Sequence, residues 1–246
     1  MSAHYKAVSG ASAGNYHEMM NIPCQDSVCI KRNGDTIVAV LADGAGSVQN
    51  SEIISSAVTE RISDLFICRL NELLEMPDEA LRKKIADEAE YAVRQKNKNM
   101  DAHCTLLAFA AQEGNRTIVH CGDGIIFGFG HNGAQVISKP ENGETLSQTF
   151  FLSTPNPVRH IRIYREVDSS FTSFLLCSDG LESILYNRKD NEPAKAAVNM
   201  MNWISVGSED EAQQMLDTAM SGILKQHTTD DISAILIGEE KYADYE

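Results

Sequence analysis

Positive charge is scarce in this chain: 21 Lys and Arg residues stand against 35 Asp and Glu, a formal net charge of −14 over 246 residues. Such a surface repels phosphate backbones and anionic lipid headgroups, and no Lys/Arg-rich stripe offsets it, so no nucleic acid and no membrane is expected as a partner. Long apolar runs are missing as well. No stretch approaches the roughly 18 apolar residues that a membrane-spanning helix needs. The opening Met1-Ser2-Ala3-His4-Tyr5-Lys6 lacks the charged-then-apolar layout of a secretion signal, and the expected location is cytoplasmic. Nor is there a Cys-x-x-Cys pair to hold zinc. Cys24, Cys29, Cys68, Cys104, Cys121 and Cys177 are scattered, mostly within apolar strand-like runs, and read as reduced core thiols. Low complexity, internal repeats and linkers are absent. With 43% hydrophobic and 23% charged residues, the chain is expected to fold as a single domain over residues 1–246.

What is present divides into blocks of different period. From Val28 to Ala42 two apolar runs flank Asn33-Gly34, a dipeptide suited to a tight hairpin turn. After Gly46 the spacing changes to three and four residues, through Ile53, Ile54, Ala57, Val58, Ile62, Leu65, Phe66, Leu70, Leu73 and Leu74, which predicts a long amphipathic helix. Pro77-Asp78 interrupts it, and Leu81, Ile85, Ala89, Ala92 and Val93 mark a second helix packed beside the first. Short apolar runs at 103–111, 116–122, 125–130 and 134–138, separated by Glu113-Gly114, Asp123-Gly124 and Asn132-Gly133, predict a β-meander. A long loop follows from Lys139 to Pro157. Strands are expected near 160–167 and 172–178, helices near 192–203 and 209–225, and a last strand at 232–237. Ser208-Glu209-Asp210-Glu211 has the form of a capping box. Helices that come in pairs, instead of alternating singly with strands, argue against a doubly wound fold. The expected class is α+β: a four-layer α-β-β-α sandwich of two antiparallel sheets flanked by helix pairs.

Acidic residues stand at the ends of the apolar runs. Asp43-Gly44 follows the run 36–42, Asp179-Gly180 follows 174–178, Asp230-Asp231 precedes 232–237, and Asp26 precedes Val28-Cys29-Ile30. An isolated Asp-Gly after a strand is commonly a plain turn, because Asp caps backbone amides and Gly tolerates positive φ. Asp123-Gly124 fits that description, and Asp230-Asp231 by itself fits a turn before a strand. The set points further, since strand ends converge in a sandwich and no Lys or Arg adjoins Asp43, Asp179 or Asp230. Converging carboxylates repel one another unless a cation neutralises them, and hard divalent ions such as Mg²⁺ or Mn²⁺ take oxygen ligands of this kind. Turns and a metal site both remain open on these grounds.

In order and separation, Cys24-Gln25-Asp26-Ser27, Ala42-Asp43-Gly44-Ala45-Gly46-Ser47, Cys121-Gly122-Asp123-Gly124, Cys177-Ser178-Asp179-Gly180-Leu181 and Thr229-Asp230-Asp231-Ile232-Ser233 resemble the metal-dependent protein phosphatase 2C family, most closely its short bacterial single-domain branch. The resemblance runs from about Ser9 to Ile237 and implies the same α-β-β-α sandwich. It implies that Asp43 bridges two Mn²⁺ or Mg²⁺ ions, that the Gly44 carbonyl binds the second and that Asp179 and Asp230 bind the first. Asp26 matches an acid that holds metal-bound water, and Asp123 the acid of a third, weaker ion. The implied reaction is hydrolysis of phosphoserine or phosphothreonine in a phosphorylated protein by a metal-activated water, with no covalent phosphoenzyme.

Three positions depart from the family pattern. Gln25 replaces a Glu, which weakens the second ion. Ala45 replaces a His proposed as general acid, a contribution typically worth about 10²–10⁴-fold. Asn21 stands near the position of the usual phosphate-binding Arg, leaving His17 as the nearest cationic candidate for that role. These departures keep an alternative open: a catalytically degenerate member that binds a phosphopeptide or partner without turnover. Specificity is expected from the loop at about 140–157, where Phe150-Phe151-Leu152 forms an apolar cluster. The oligomeric state is unknown at this level.

Overall fold

The computed structural model describes residues 4–143, 149–165 and 167–240. In chain order the elements are β1 (Tyr5–Ser12), α1 (Asn15–Met20), β2 (Asp26–Asn33), β3 (Thr36–Asp43), α2 (Ser51–Glu75), α3 (Asp78–Lys96), β4 (Leu106–Gln112), β5 (Asn115–Cys121), β6 (Ile125–Gly130) and β7 (Gly133–Ser138). Then come β8 (Arg162–Tyr164), β9 (Phe171–Cys177), α4 (Glu182–Leu185), β10 (Tyr186–Asn187), β11 (Glu192–Pro193), α5 (Lys195–Val206), α6 (Glu209–Ala219) and β12 (Ile232–Glu239). One five-stranded antiparallel sheet has the order β1-β12-β9-β6-β7 and the other β2-β3-β4-β5-β8, while β10 and β11 form a small separate ribbon. Among the described residues no helix is long and apolar enough to cross a membrane.

The strand sequences explain why there are four layers. In β3, Ile37, Ala39 and Leu41 enter the core between the sheets, while Val38, Val40 and Ala42 pack beneath α2 and α3. In β12, Ile235 and Ile237 face the inner core, and Ile232, Ala234 and Leu236 face the side covered by α5 and α6. Strands apolar on both faces must be covered on both, which successive side chains pointing to opposite faces make possible. The expected α-β-β-α sandwich is the fold observed. The Ser208 cap is also present: its hydroxyl accepts the Glu211 N–H at 3.2 Å, and the Glu211 carboxylate accepts the Ser208 N–H at 2.9 Å.

Three expectations need correction. The four runs from 103 to 138 are not one meander, because β5 pairs with β4 and β8 while β6 pairs with β7 and β9. Asp123-Gly124 therefore carries the chain from one sheet to the other and is not a hairpin turn. The last helix ends at Ala219 and continues as irregular turns through Gly222, whose φ of −117° and ψ of −105° are not helical. All six cysteines are free, as expected, but only Cys104, Cys121 and Cys177 lie in the core; Cys24 and Cys29 are half-buried and Cys68 is exposed.

Candidate active site

Antiparallel pairing brings the acid-bearing strand ends to one edge of the sandwich. Asp26 opens β2 and Asp43 closes β3, directly opposite each other in register. Asp179 follows β9, Asp230 and Asp231 precede β12, and Asp123 lies on the crossover between β5 and β6. They meet at a cavity of about 160 Å³ lined by Asp43, Asp123, Asp179, Asp230 and Asp231, together with Gln25, Gly44, Ala45, Gly46, Thr149 and Phe151. Asp26 lies behind this wall, buried beside Asp43.

Backbone approach sets the positions. The Asp43 N–H donates to Thr105 Oγ1 at 3.0 Å, and its carbonyl accepts the Thr105 N–H at 2.8 Å. The segment of Asp230 and Asp231 is gripped between two glycines: a Cβ on Gly180 would stand 2.0 Å from the Asp231 carbonyl oxygen, and one on Gly14 would stand 2.3 Å from that of Asp230. Nothing larger than hydrogen fits at either place.

Burial and mutual repulsion govern the charges. Asp26 is pushed up to about 6, chiefly by burial, with the Asp231 charge adding to it against the pull of the Ser233 and Ser178 hydroxyls. Neither of its carboxylate oxygens makes a hydrogen bond of ordinary geometry, and the same holds for Asp179 Oδ1. Asp179 is raised to about 7, first by burial, then by Asp123 and Asp230. Asp43 is held well above the usual carboxylate range by burial and by the charges of Asp26, Asp179, Asp123 and Asp230. Burial also raises Asp123, opposed by a hydrogen bond from Thr149.

Among the described residues no three His, Cys, Asp or Glu side chains form a ready ligand cage. The carboxylates line the cavity walls instead, and the unpartnered oxygens of Asp26 and Asp179 are the kind of buried acceptor that a hard cation satisfies. The donor set, all oxygen with no imidazole or thiolate on the wall, fits Mg²⁺ or Mn²⁺ better than zinc.

The structure brings Asp43, Gly44, Asp123, Asp179 and Asp230 to the cavity, with Asp26 adjoining. His17 is placed elsewhere: its Nδ1 lies 2.8 Å from Asp231 Oδ1, and it is not among the lining residues. Asp231 is a residue that sequence reasoning passed over. Its carboxylate also accepts the N–H groups of Gly14 at 2.8 Å and Gln25 at 2.6 Å, tying α1 and the start of β2 to the start of β12. The available signal was the doubled acid before a buried, mostly apolar strand, where the second carboxylate is taken up by Gly14, Gln25 and His17. The Phe150-Phe151-Leu152 cluster divides three ways: Leu152 enters the core under the first helix pair, Phe151 lines the cavity and Phe150 stacks on His160.

A family model described as Protein phosphatase 2C matches residues 13–224. No curated protein matches the chain by sequence. Among solved structures, the chain is similar to the serine/threonine phosphatase Stp1 from Staphylococcus aureus, with 18% identity, a TM-score of 0.64 and 98% of each chain covered. A bacterial serine phosphatase matches at 20% identity and a TM-score of 0.64, covering 96% of this chain and 98% of the other. RsbX in complex with magnesium matches at 14% identity and a TM-score of 0.58, with 96% of each chain covered.

Proposed function

The chain belongs to the protein phosphatase 2C family, and from that premise we propose that it is a metal-dependent phosphoprotein phosphatase acting on phosphoserine and phosphothreonine. The observation that carries this reading is the wall of carboxylates, Asp43, Asp123, Asp179 and Asp230, with no Lys, Arg or His among the described lining residues. Such a wall repels a phosphate dianion unless cations stand between them. Asp43, the Gly44 carbonyl, Asp179 and Asp230 would hold two Mn²⁺ or Mg²⁺ ions, with Asp26 in support and Asp123 reserved for a third. Bound there, the ions would neutralise phosphoryl charge and acidify water for attack in line with the leaving group.

The chain's own residues prepare that site. The Asp43 backbone is fixed through Thr105, and Asp231 locks the segment that presents Asp230 by accepting from Gly14, Gln25 and His17. His17 then acts on the site through Asp231. Among the described residues no cysteine lines the cavity and Thr149 is engaged by Asp123, which agrees with a reaction that needs no protein nucleophile.

Assays with para-nitrophenyl phosphate and a phosphothreonine peptide test the reading. Turnover of both is expected with Mn²⁺ and none in excess EDTA; full turnover in EDTA would remove the metal requirement. Ala45 and the lack of a cationic side chain among the described lining residues favour a second reading, a catalytically degenerate regulator. Phosphopeptide binding without turnover at saturating Mn²⁺ would establish it.

A further inference from the structure

Resting on the phosphatase reading, we propose that Thr149 is a positioning residue. Its hydroxyl holds one oxygen of Asp123 so that the other is presented to a divalent cation, and a half-buried cluster around Arg162 keeps Thr149 in place.

Asp123 needs such help because it lies on a crossover between sheets, with no strand partner of its own. Thr149 Oγ1 donates to Asp123 Oδ2, and Thr149 is itself seated by a β-bridge to Asn142. The neighbouring Gly122 carbonyl accepts the Glu141 N–H at 2.9 Å and a more distant Arg162 Nη2 at 3.5 Å. Both described ends of the loop, 139–143 and 149–160, are fastened to one ion cluster. Glu141 reaches His160 Nδ1 at 3.2 Å and Arg162 Nε at 3.4 Å, and the His160 ring stacks on Phe150 with centroids 3.7 Å apart. Arg162 Nη1 donates to the Lys139 carbonyl at 2.7 Å, and its Nη2 donates to His120 Nδ1 at 3.0 Å. Because a guanidinium only donates, His120 Nδ1 is an acceptor and its proton sits on Nε2. Ser138 Oγ approaches the same nitrogen at 2.7 Å and pairs with the Tyr164 hydroxyl at 2.9 Å.

Packing alone gives no reason for the loop to aim a hydroxyl at a cavity-lining carboxylate. A partner that fixes a ligand's orientation does, and losing such a partner typically costs about 10–100-fold in metal affinity.

The test is Mn²⁺ binding by isothermal titration calorimetry on wild type, Thr149→Val, Thr149→Ser and Glu141→Gln, with turnover measured against Mn²⁺ concentration. Thr149→Val is expected to weaken the lowest-affinity Mn²⁺ by about 10–100-fold and to shift activation to higher Mn²⁺, with most of the maximal rate recovered at saturation. Thr149→Ser keeps the hydroxyl and should bind as wild type does. Glu141→Gln, which loosens the cluster without touching Asp123 or Thr149, should shift binding in the same direction by less. Wild-type affinity in Thr149→Val, or equal losses in the Val and Ser variants, would overturn the role of the hydroxyl and leave the phosphatase reading intact. A wild type that binds no Mn²⁺ would overturn both.

Discussion

Asp43 faces Asp26 across the ladder of β2 and β3 and has three further carboxylates around it, so its ionised form is opposed from every side. Like charges directly opposite each other on a sheet destabilise it. Asp43→Asn removes one of them: thermal melting in chelator should be unchanged or shifted upward, while Mn²⁺-dependent turnover falls by several orders of magnitude. His120 shows burial acting on the other sign of charge. Burial, and then the Arg162 guanidinium, hold its pKa well below the ordinary histidine value. The charged and titratable groups around it are Arg162, Tyr164 beyond Ser138, and Glu141 behind Arg162, and none places a negative charge against the ring. The native protein keeps His120 neutral, whereas an unfolded histidine takes a proton below about pH 6.5. The unfolded state then binds more protons, and this contribution to stability, full above that pH, is lost below it at up to about 1.4 kcal/mol per pH unit. The raised site carboxylates act in the opposite sense, so the measurement is a difference. Urea unfolding at pH 7 and pH 5 should show wild type losing about 1–2 kcal/mol more than His120→Gln over that range.

At the scale of elements, α6 begins where its cap dictates and lies on the outer face of its sheet, away from the carboxylate cavity. Ser208→Ala should therefore cost about 1 kcal/mol and lower the melting temperature by about 2–4 °C, with the Mn²⁺-dependent rate unchanged. Elements with a local signature were legible in the sequence: that cap, the turn after Asn33, and the three- and four-residue spacing of α2 and α3. The sheet assignment of β5 and β6 was not. Alternation identifies a strand but not its partner, and Asp123-Gly124 has the composition of a hairpin turn although it joins two sheets. The short elements α4, β10 and β11 carry no period to read, whereas the three-residue β8 falls within a strand expected near 160–167. For the site, Asp26, Asp43, Asp179 and Asp230 were readable because each interrupts an apolar run at its end. The anchoring of Asp231 depends on contacts with Gly14, Gln25 and His17, all more than 200 positions away in sequence. Thr149 is one hydroxyl among many polar residues in a loop, and only folding shows what it touches.

Seen whole, the molecule draws its carboxylates from both sheets, Asp26 and Asp43 from one, Asp179 and Asp230 from the other, with Asp123 on the link between them. The site exists only when the two sheets are in register. At the opposite end a buried Arg116 of β5 donates to the Tyr5 hydroxyl at 2.8 Å and the Phe171 carbonyl at 2.6 Å, and pairs with Glu239 at 3.2 Å, joining the same two sheets. The chain passes from one sheet to the other four times, between β1 and β2, β5 and β6, β7 and β8, and β8 and β9, so neither layer is a separable half. The pairing of β1 has a further consequence, in the order of synthesis. Among the described residues its one neighbour in the sheet is β12, with Tyr5 opposite Glu239, so β1 leaves the ribosome long before the strand it pairs with. At about 5–20 residues per second the wait is on the order of ten to fifty seconds. For that time Tyr5, Ala7 and Val8, buried in the finished protein, have no sheet to join, and β1 is an unpaired strand open to wrong pairings.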